Sequence, residues 1–192
     1  MNLYDSNGHR KYLTPGERQD FLAASVSAPH QVRTFCATLA YTGCRISEGL
    51  ALTADRADMK EGVLVFESLK KRRKGVFRAV PVPPDFLDTL NLVHDLGTLH
   101  RSPDRGRGVH LWDWSRATAW RRVCEVMEAA GVTGLHASPK GLRHGFGIKA
   151  VTSEVPLNMT QKWLGHARLS TTAIYTDAIG PEEKQIAKRM WG

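Results

Sequence analysis

Helical periodicity runs through most of this chain and fails in one place, between Gly62 and Val82. There Val63-Leu64-Val65-Phe66 and Val76-Phe77-Arg78-Ala79-Val80-Pro81-Val82 have the β-branched and aromatic content of two strands, bounded by Gly62 and Pro83. Between them lies a basic turn, Lys70-Lys71-Arg72-Arg73-Lys74-Gly75. Five consecutive cations do not pack in a core, so the turn is either a solvated hairpin tip or an element pushed into a nucleic-acid groove. The fold class expected is α+β, mainly helical, with one small antiparallel sheet.

The helices can be placed by their punctuation. Thr14-Pro15-Gly16-Glu17 opens the first, with Thr14 as cap, Pro15 at the first helical position and Glu17 completing a capping box. A second runs from about Gln31 to Tyr41, with Gly43 just past its end, and Ser47 and Glu48 open a short third through Leu52. This order leaves Arg45 in a connection, free to project into a cleft. Pro83-Pro84 starts a helix to about Leu96, and Gly97 to Gly108, rich in Gly, Arg and His, reads as a mobile loop. Further helices are expected over Ser115–Ala130, behind Ser138-Pro139, over Pro156–Leu164, around Tyr175, and as an amphipathic tail from Pro181 to Trp191. A chain of 192 residues buries one substantial core. The division expected is an N-terminal segment 1–13, one domain over 14–180 and a tail helix over 181–192.

Composition narrows the partner. With 27 Lys+Arg against 19 Asp+Glu, the formal charge of +8 favours a polyanion, most simply nucleic acid, through counterion release. Cys36, Cys44 and Cys124 show no CxxC or Cys/His ligand spacing and suit buried thiols in a reducing cytoplasm. Neither an apolar run of about 18 residues nor a signal core is present, so no membrane association is expected. Phosphate-loop, HExxH and GxSxG patterns are missing, and Gly106-Arg107-Gly108 lacks the third glycine of a dinucleotide fingerprint, so no metal or cofactor is expected. Asp55 and Asp58 read as turn residues.

The chemistry-bearing residues lie in three segments. In Leu164-Gly165-His166-Ala167-Arg168-Leu169-Ser170-Thr171-Thr172-Ala173-Ile174-Tyr175, the histidine and tyrosine are nine residues apart. A helix advances about 100° per residue, which would point them to opposite sides. One site can use both only if the helix breaks, and Gly165 supplies a left-handed stop while Ser170 or Thr171 can cap a new start. Upstream lies Tyr41-Thr42-Gly43-Cys44-Arg45-Ile46-Ser47-Glu48-Gly49-Leu50, and between the two lies Ser138-Pro139-Lys140-Gly141-Leu142-Arg143-His144-Gly145-Phe146, whose Lys140 and Arg143 share a helix face. Two guanidinium groups suit a phosphate, which they grip bidentately while remaining charged.

In this order the segments resemble the tyrosine recombinase (phage integrase) family: TGxRxSE around Arg45, a basic residue followed by xxR at Lys140 and Arg143, and LGH with a tyrosine nine residues on. The resemblance runs from about Thr14 to Tyr175 and implies the tyrosine-recombinase catalytic-domain fold. It further implies an enzyme that breaks and rejoins double-stranded DNA through a 3′-phosphotyrosyl intermediate. Tyr175 would be the nucleophile, Arg45 and Arg143 would hold the nonbridging oxygens, His166 would hydrogen-bond one of them, and a hairpin lysine would protonate the leaving 5′ oxygen. That lysine is Lys70, with Lys71 the alternative by a one-residue change of register, and Lys71, Arg72, Arg73 and Lys74 would touch the DNA.

Two departures from the family pattern bear on activity. The second box usually reads HxxR and here begins with Lys140, which supplies fixed charge but accepts a proton only with a strongly depressed pKa. His136 and His144 are the candidates to stand in, and for both a structural role is expected instead, His144 lying about 100° around the helix from Arg143. The usual N-terminal core-binding domain is expected to be absent from this chain, as in an excised fragment or a short member, making DNA binding salt-sensitive unless a clamp-completing protein joins. The resemblance also implies a homo-tetramer on two duplexes, with the tail helix either folded back or donated to a neighbour. Two other readings stay open: a catalytically impaired DNA-binding module on the same fold, and a type IB topoisomerase-like enzyme.

Overall fold

A computed structural model of the chain describes residues 3–68, 75–101, 106–177, 187–188 and 190–191. The capping box forms as the sequence dictates: Thr14 Oγ1 accepts from Glu17 N and the Glu17 carboxylate accepts from Thr14 N, opening α1 (Pro15–Val26). Helix α2 (His30–Thr42) is buried along most of its length and stops at Gly43, whose φ of 60° is left-handed. A Cβ at Gly43 would also meet the Phe146 ring at 2.6 Å, so both the turn and the packing demand glycine. A short helix, α3 (Ile46–Leu50), follows.

The interruption in helical periodicity is an antiparallel sheet in the order β1 (Ala57–Asp58), β2 (Val63–Glu67), β3 (Phe77–Pro81). Register pairs Val63 with Pro81 and Glu67 with Phe77. Leu64, Phe66 and Val80 face the core by strand alternation, and so does Arg78, which stands opposite Phe66. The two-residue β1 is too short to show a periodicity and was not expected. The basic turn, Lys70 to Lys74, lies outside the described residues.

Helices α4 (Pro84–His94), α5 (Leu96–Arg101), α6 (Arg116–Ala129), α7 (Pro139–Thr152), α8 (Leu157–Leu164) and α9 (Ser170–Ala173) complete the described part, with a 3-10 turn over Ile174–Asp177. The loop expected from Gly97 to Gly108 is partly helical instead. Asp95, left-handed at φ 51°, ends α4, and α5 then forms because Leu96 is fully buried and His100 Nε2 lies 2.8 Å from the Ala54 carbonyl. Residues 102–105 lie outside the described residues. The start of α9 also differs from expectation: the cap position is Leu169, and Ser170 and Thr171 fall inside the helix without a side-chain cap.

One core unites α1 to α5 and the three strands with α6 and α7, and a smaller cluster gathers Tyr12, Ile148, Leu164 and Tyr175. Cys36 and Cys44 are buried, and burial pushes both thiols up, Cys44 to about 11; Cys124 is half-buried. Of the tail, Met190 and Trp191 are exposed, while 181–186 lie outside the described residues. No helix among the described residues is long and apolar enough to cross a membrane.

Candidate active site

The Arg45 segment folds as a helix stop, an extended residue and a helix start. Arg45 holds the extended cap position of α3, and Glu48, three residues on, reaches back to it. Glu48 Oε2 accepts from Arg45 N at 2.8 Å and Oε1 from Arg45 Nη1 at 2.7 Å. The other approach comes from the sheet, where Arg78 Nη2 donates to Glu48 Oε2 at 2.7 Å. Burial alone would raise the Glu48 pKa, but the charge and hydrogen bond of Arg78, joined by Arg45, hold it below the usual carboxylate range. A buried carboxylate is thus kept ionised between two guanidinium groups.

Arg143 sits on α7 and is buried. Its Nη1 donates to the Gly43 carbonyl at 2.5 Å and its Nη2 to the Leu164 carbonyl at 2.6 Å. Both acceptors lie at helix C-termini, where unpaired carbonyls concentrate negative potential. Two of the five guanidinium donors are fixed in this way, and the group still borders the cleft. Burial, then the nearby Arg45 charge, lowers its pKa to about 10, so it stays cationic at neutral pH.

Gly165, with φ 65°, ends α8 and turns His166 into the same region. His166 is buried, and its Nδ1 lies 3.0 Å from the Thr172 hydroxyl. Burial, then the charges of Arg143 and Arg45, pushes the imidazole down to about 3, so it is neutral at neutral pH. Tyr175 packs beside it, the two rings stacked at 17° with centroids 6.2 Å apart. The break at Gly165 does bring the two residues of the third segment together.

Tyr175 itself is 1% exposed, on the 3-10 turn. Its hydroxyl lies 3.3 Å from His144 Nδ1, and its ring fills space that a Cβ at Gly147 would occupy. Burial raises the phenol's pKa, opposed by Arg143 and Arg45. His144 does lie on a different face of α7 from Arg143, but that face is the one Tyr175 covers. Burial, then Lys140 and Arg143, lowers His144 to about 4. His136 is engaged elsewhere, with Nε2 3.1 Å from Glu17 Oε1.

A cleft of about 520 Å³ brings together Arg45, Lys140, Arg143 and His166. Tyr175 lies behind His166 rather than on its wall. The cleft also takes in the cap Ser138, and Arg116 and the half-exposed Trp120 from α6, neither of which sequence reasoning placed in the site. Arg78 was missed as well, although its alternation with Val80 placed a cation on the inner face of a strand. Lys70, Lys71, Arg72, Arg73 and Lys74 lie outside the described residues.

The three sequence segments therefore come together in one basic site. A model of the phage integrase family matches residues 11–179. The chain belongs to the phage integrase family. Among family members, this chain is 29% identical over 153 residues to tyrosine recombinase XerD of Haemophilus ducreyi, covering 77% of this chain and 50% of that protein. XerD of Mycobacterium tuberculosis is 33% identical over 144 residues, covering 70% of this chain and 44% of that protein. This integrase-family chain thus spans about half the length of the curated relatives it matches. In fold it matches a crystal structure of XerA recombinase, with a TM-score of 0.76 at 23% identity over 93% of this chain and 64% of that one. The XerH site-specific recombinase bound to difH substrate, in a pre-cleavage complex, gives 0.72 at 19% identity, over 98% and 60%. The tyrosine-recombinase catalytic-domain fold expected from the resemblance is the fold of this integrase-family chain.

Proposed function

We propose that this chain is a site-specific DNA recombinase domain, breaking and rejoining duplex DNA through a 3′-phosphotyrosyl intermediate. The observation that carries the reading is the convergence of Arg45 and Arg143 with neutral His166 in one cleft, directly against Tyr175. Arg45 and Arg143 grip the nonbridging oxygens of the scissile phosphate. Preorganised charge of this kind is usually the largest catalytic contribution, with loss of one donor costing about 10²–10³ in rate. In the tautomer with its proton on Nε2, His166 accepts from the Thr172 hydroxyl through Nδ1, 3.0 Å away, and donates to the phosphate.

Tyr175 leaves its contact with His144, gives its phenol proton to solvent water and attacks phosphorus; the new P–O bond to tyrosine forms as the P–O5′ bond breaks. The leaving 5′ oxygen takes a proton from Lys70, or from Lys71 if the register shifts by one. A 5′ hydroxyl from another strand later reverses the step, and the ester conserves the bond energy for resealing. Lys140 contributes fixed charge at the cleft wall, while Lys71, Arg72, Arg73 and Lys74 hold the DNA backbone. Double-stranded DNA is the partner, and a tetramer on DNA, linked by tail helices whose Met190 and Trp191 are exposed, is the assembly. A further protein or domain completes the clamp around the duplex.

A second reading, a DNA-binding module without cleavage, is favoured by the burial of Tyr175 and by the lysine at position 140. The discriminating experiment incubates the protein and a Tyr175→Phe control with a pool of nicked suicide duplexes from its source DNA, in EDTA. SDS-resistant adducts that require Tyr175 support the recombinase; binding without adduct supports the module. Relaxation of plasmids lacking any cognate site would favour topoisomerase-like chemistry instead.

A further inference from the structure

Arg78 is the one residue of the sheet whose charge is taken into the interior beside the cleft, with its side chain 5% exposed. It makes two charge-assisted contacts to distant parts of the chain. Nη2 donates to Glu48 Oε2 at 2.7 Å, and Nε donates to the Trp163 carbonyl at 2.7 Å. The guanidinium lies over the Phe66 ring, 5.3 Å from its centroid. A Cβ at Gly165 would come within 3.1 Å of Nη1, so the glycine before His166 also makes room for this group. Nη1 is buried and has no hydrogen-bond partner among the described residues.

Burying an arginine is expensive and is sustained only by good geometry and paired charge. A residue that merely filled the inner face of β3 would be an aliphatic one, like Val80 beside it. We infer that Arg78 is a positioning residue of the phosphate site, locking Glu48, and through it Arg45, in register with the turn that presents His166. The inference rests on the recombinase reading for its consequence in chemistry, but not for its structural content. One carboxylate is shared by two arginines. Without Arg78, Glu48 is free to turn wholly onto Arg45, which would draw that guanidinium from the cleft and cost the site one positive charge. Loss of the Nε contact would release the Trp163 carbonyl and with it the turn carrying His166. Both effects act on placement of phosphate ligands, and misplacement by about 1 Å can cost about 10²-fold in rate.

The test compares Arg78→Met, Arg78→Lys and Glu48→Gln with the unsubstituted protein, using two readouts. The first is NMR of the Arg45 Nε–H and the His166 ring, which needs no DNA. Arg78→Met is expected to shift both signals, and Arg78→Lys, which keeps the charge on Glu48, to shift Arg45 less. Signals at their original positions in folded Arg78→Met overturn the inference, and if Arg78→Met does not fold, unshifted signals in Arg78→Lys for the His166 ring do the same. The second readout is single-turnover adduct formation on the duplex recovered from the pool. Arg78→Met should slow it about tenfold to a hundredfold with the half-saturating DNA concentration nearly unchanged, and the effects of Arg78→Met and Glu48→Gln should be less than additive. Equal rates for Arg78→Met and the unsubstituted protein overturn the inference alone, whereas absence of adduct with the unsubstituted protein counts against the recombinase reading and leaves the NMR result to decide the role of Arg78.

Discussion

At the scale of single residues, the site depends on side chains held in unusual protonation environments. His166 is held down to about 3, and His144 and His94 to about 4, in each case first by burial, against an ordinary value of 6.5. The sign of the consequence is fixed. Below about pH 6.5 the unfolded chain binds protons at these positions while the native one does not, so stability is full above that pH and falls as the pH drops towards the folded values. Each histidine steepens the fall by at most about 1.4 kcal/mol per pH unit. The urea midpoint should therefore be lower at about pH 5 than at about pH 7.5. Because His94 lies away from the cleft, hydrogen-bonded through Nε2 to the Thr34 hydroxyl, His94→Gln should flatten that dependence without touching the phosphate site. A midpoint indifferent to pH across this range would contradict neutral buried histidines.

Among the elements, α7 carries most of the site: Lys140 and Arg143 face the cleft and His144 and Gly147 face Tyr175. Glycine inside a helix normally costs about 1 kcal/mol relative to alanine. Gly147→Ala should nevertheless destabilise here, because the added Cβ would lie 2.5 Å from the Tyr175 ring. Overpacking of this kind costs about 1–3 kcal/mol. The expected outcome is a lower melting temperature together with faster nitration of Tyr175, read by mass spectrometry against the other three tyrosines. A variant as stable as the original, with Tyr175 equally protected, would show that the ring is not seated against α7. The same packing holds Tyr175 off the cleft wall, where its ring completes the smaller core cluster.

For the whole molecule, the governing quantity is charge. A formal +8 over 192 residues predicts DNA binding that weakens steeply with salt. Each phosphate contact adds about 0.9 to the magnitude of the slope of log K against log salt. Replacing Lys71, Arg72, Arg73 and Lys74 together by alanine should therefore flatten that slope by up to about 4, measured by fluorescence anisotropy across a salt series. An unchanged slope would return the basic turn to the reading of a solvated hairpin tip.

The sequence alone determined what is local. Capping boxes, glycine stops and strand alternation act over a few residues, so Thr14, Gly43, Gly165 and the hairpin strands were legible, as were Arg45, Arg143, His166 and Tyr175 through motif spacing. The start of α9 and the helix Leu96–Arg101 were misjudged where packing of Leu96 and of the Tyr175 turn outweighed local turn preference. Tertiary structure alone decided which residues converge. Arg78 meets Glu48 across 30 residues and Trp163 across 85, Arg143 reaches Gly43 across 100, and His144 meets Tyr175 across 31. No local propensity encodes such contacts, because the free energy that holds a buried charge or a buried phenol exists only once the distant carbonyl, carboxylate or imidazole has been brought beside it and water has been excluded.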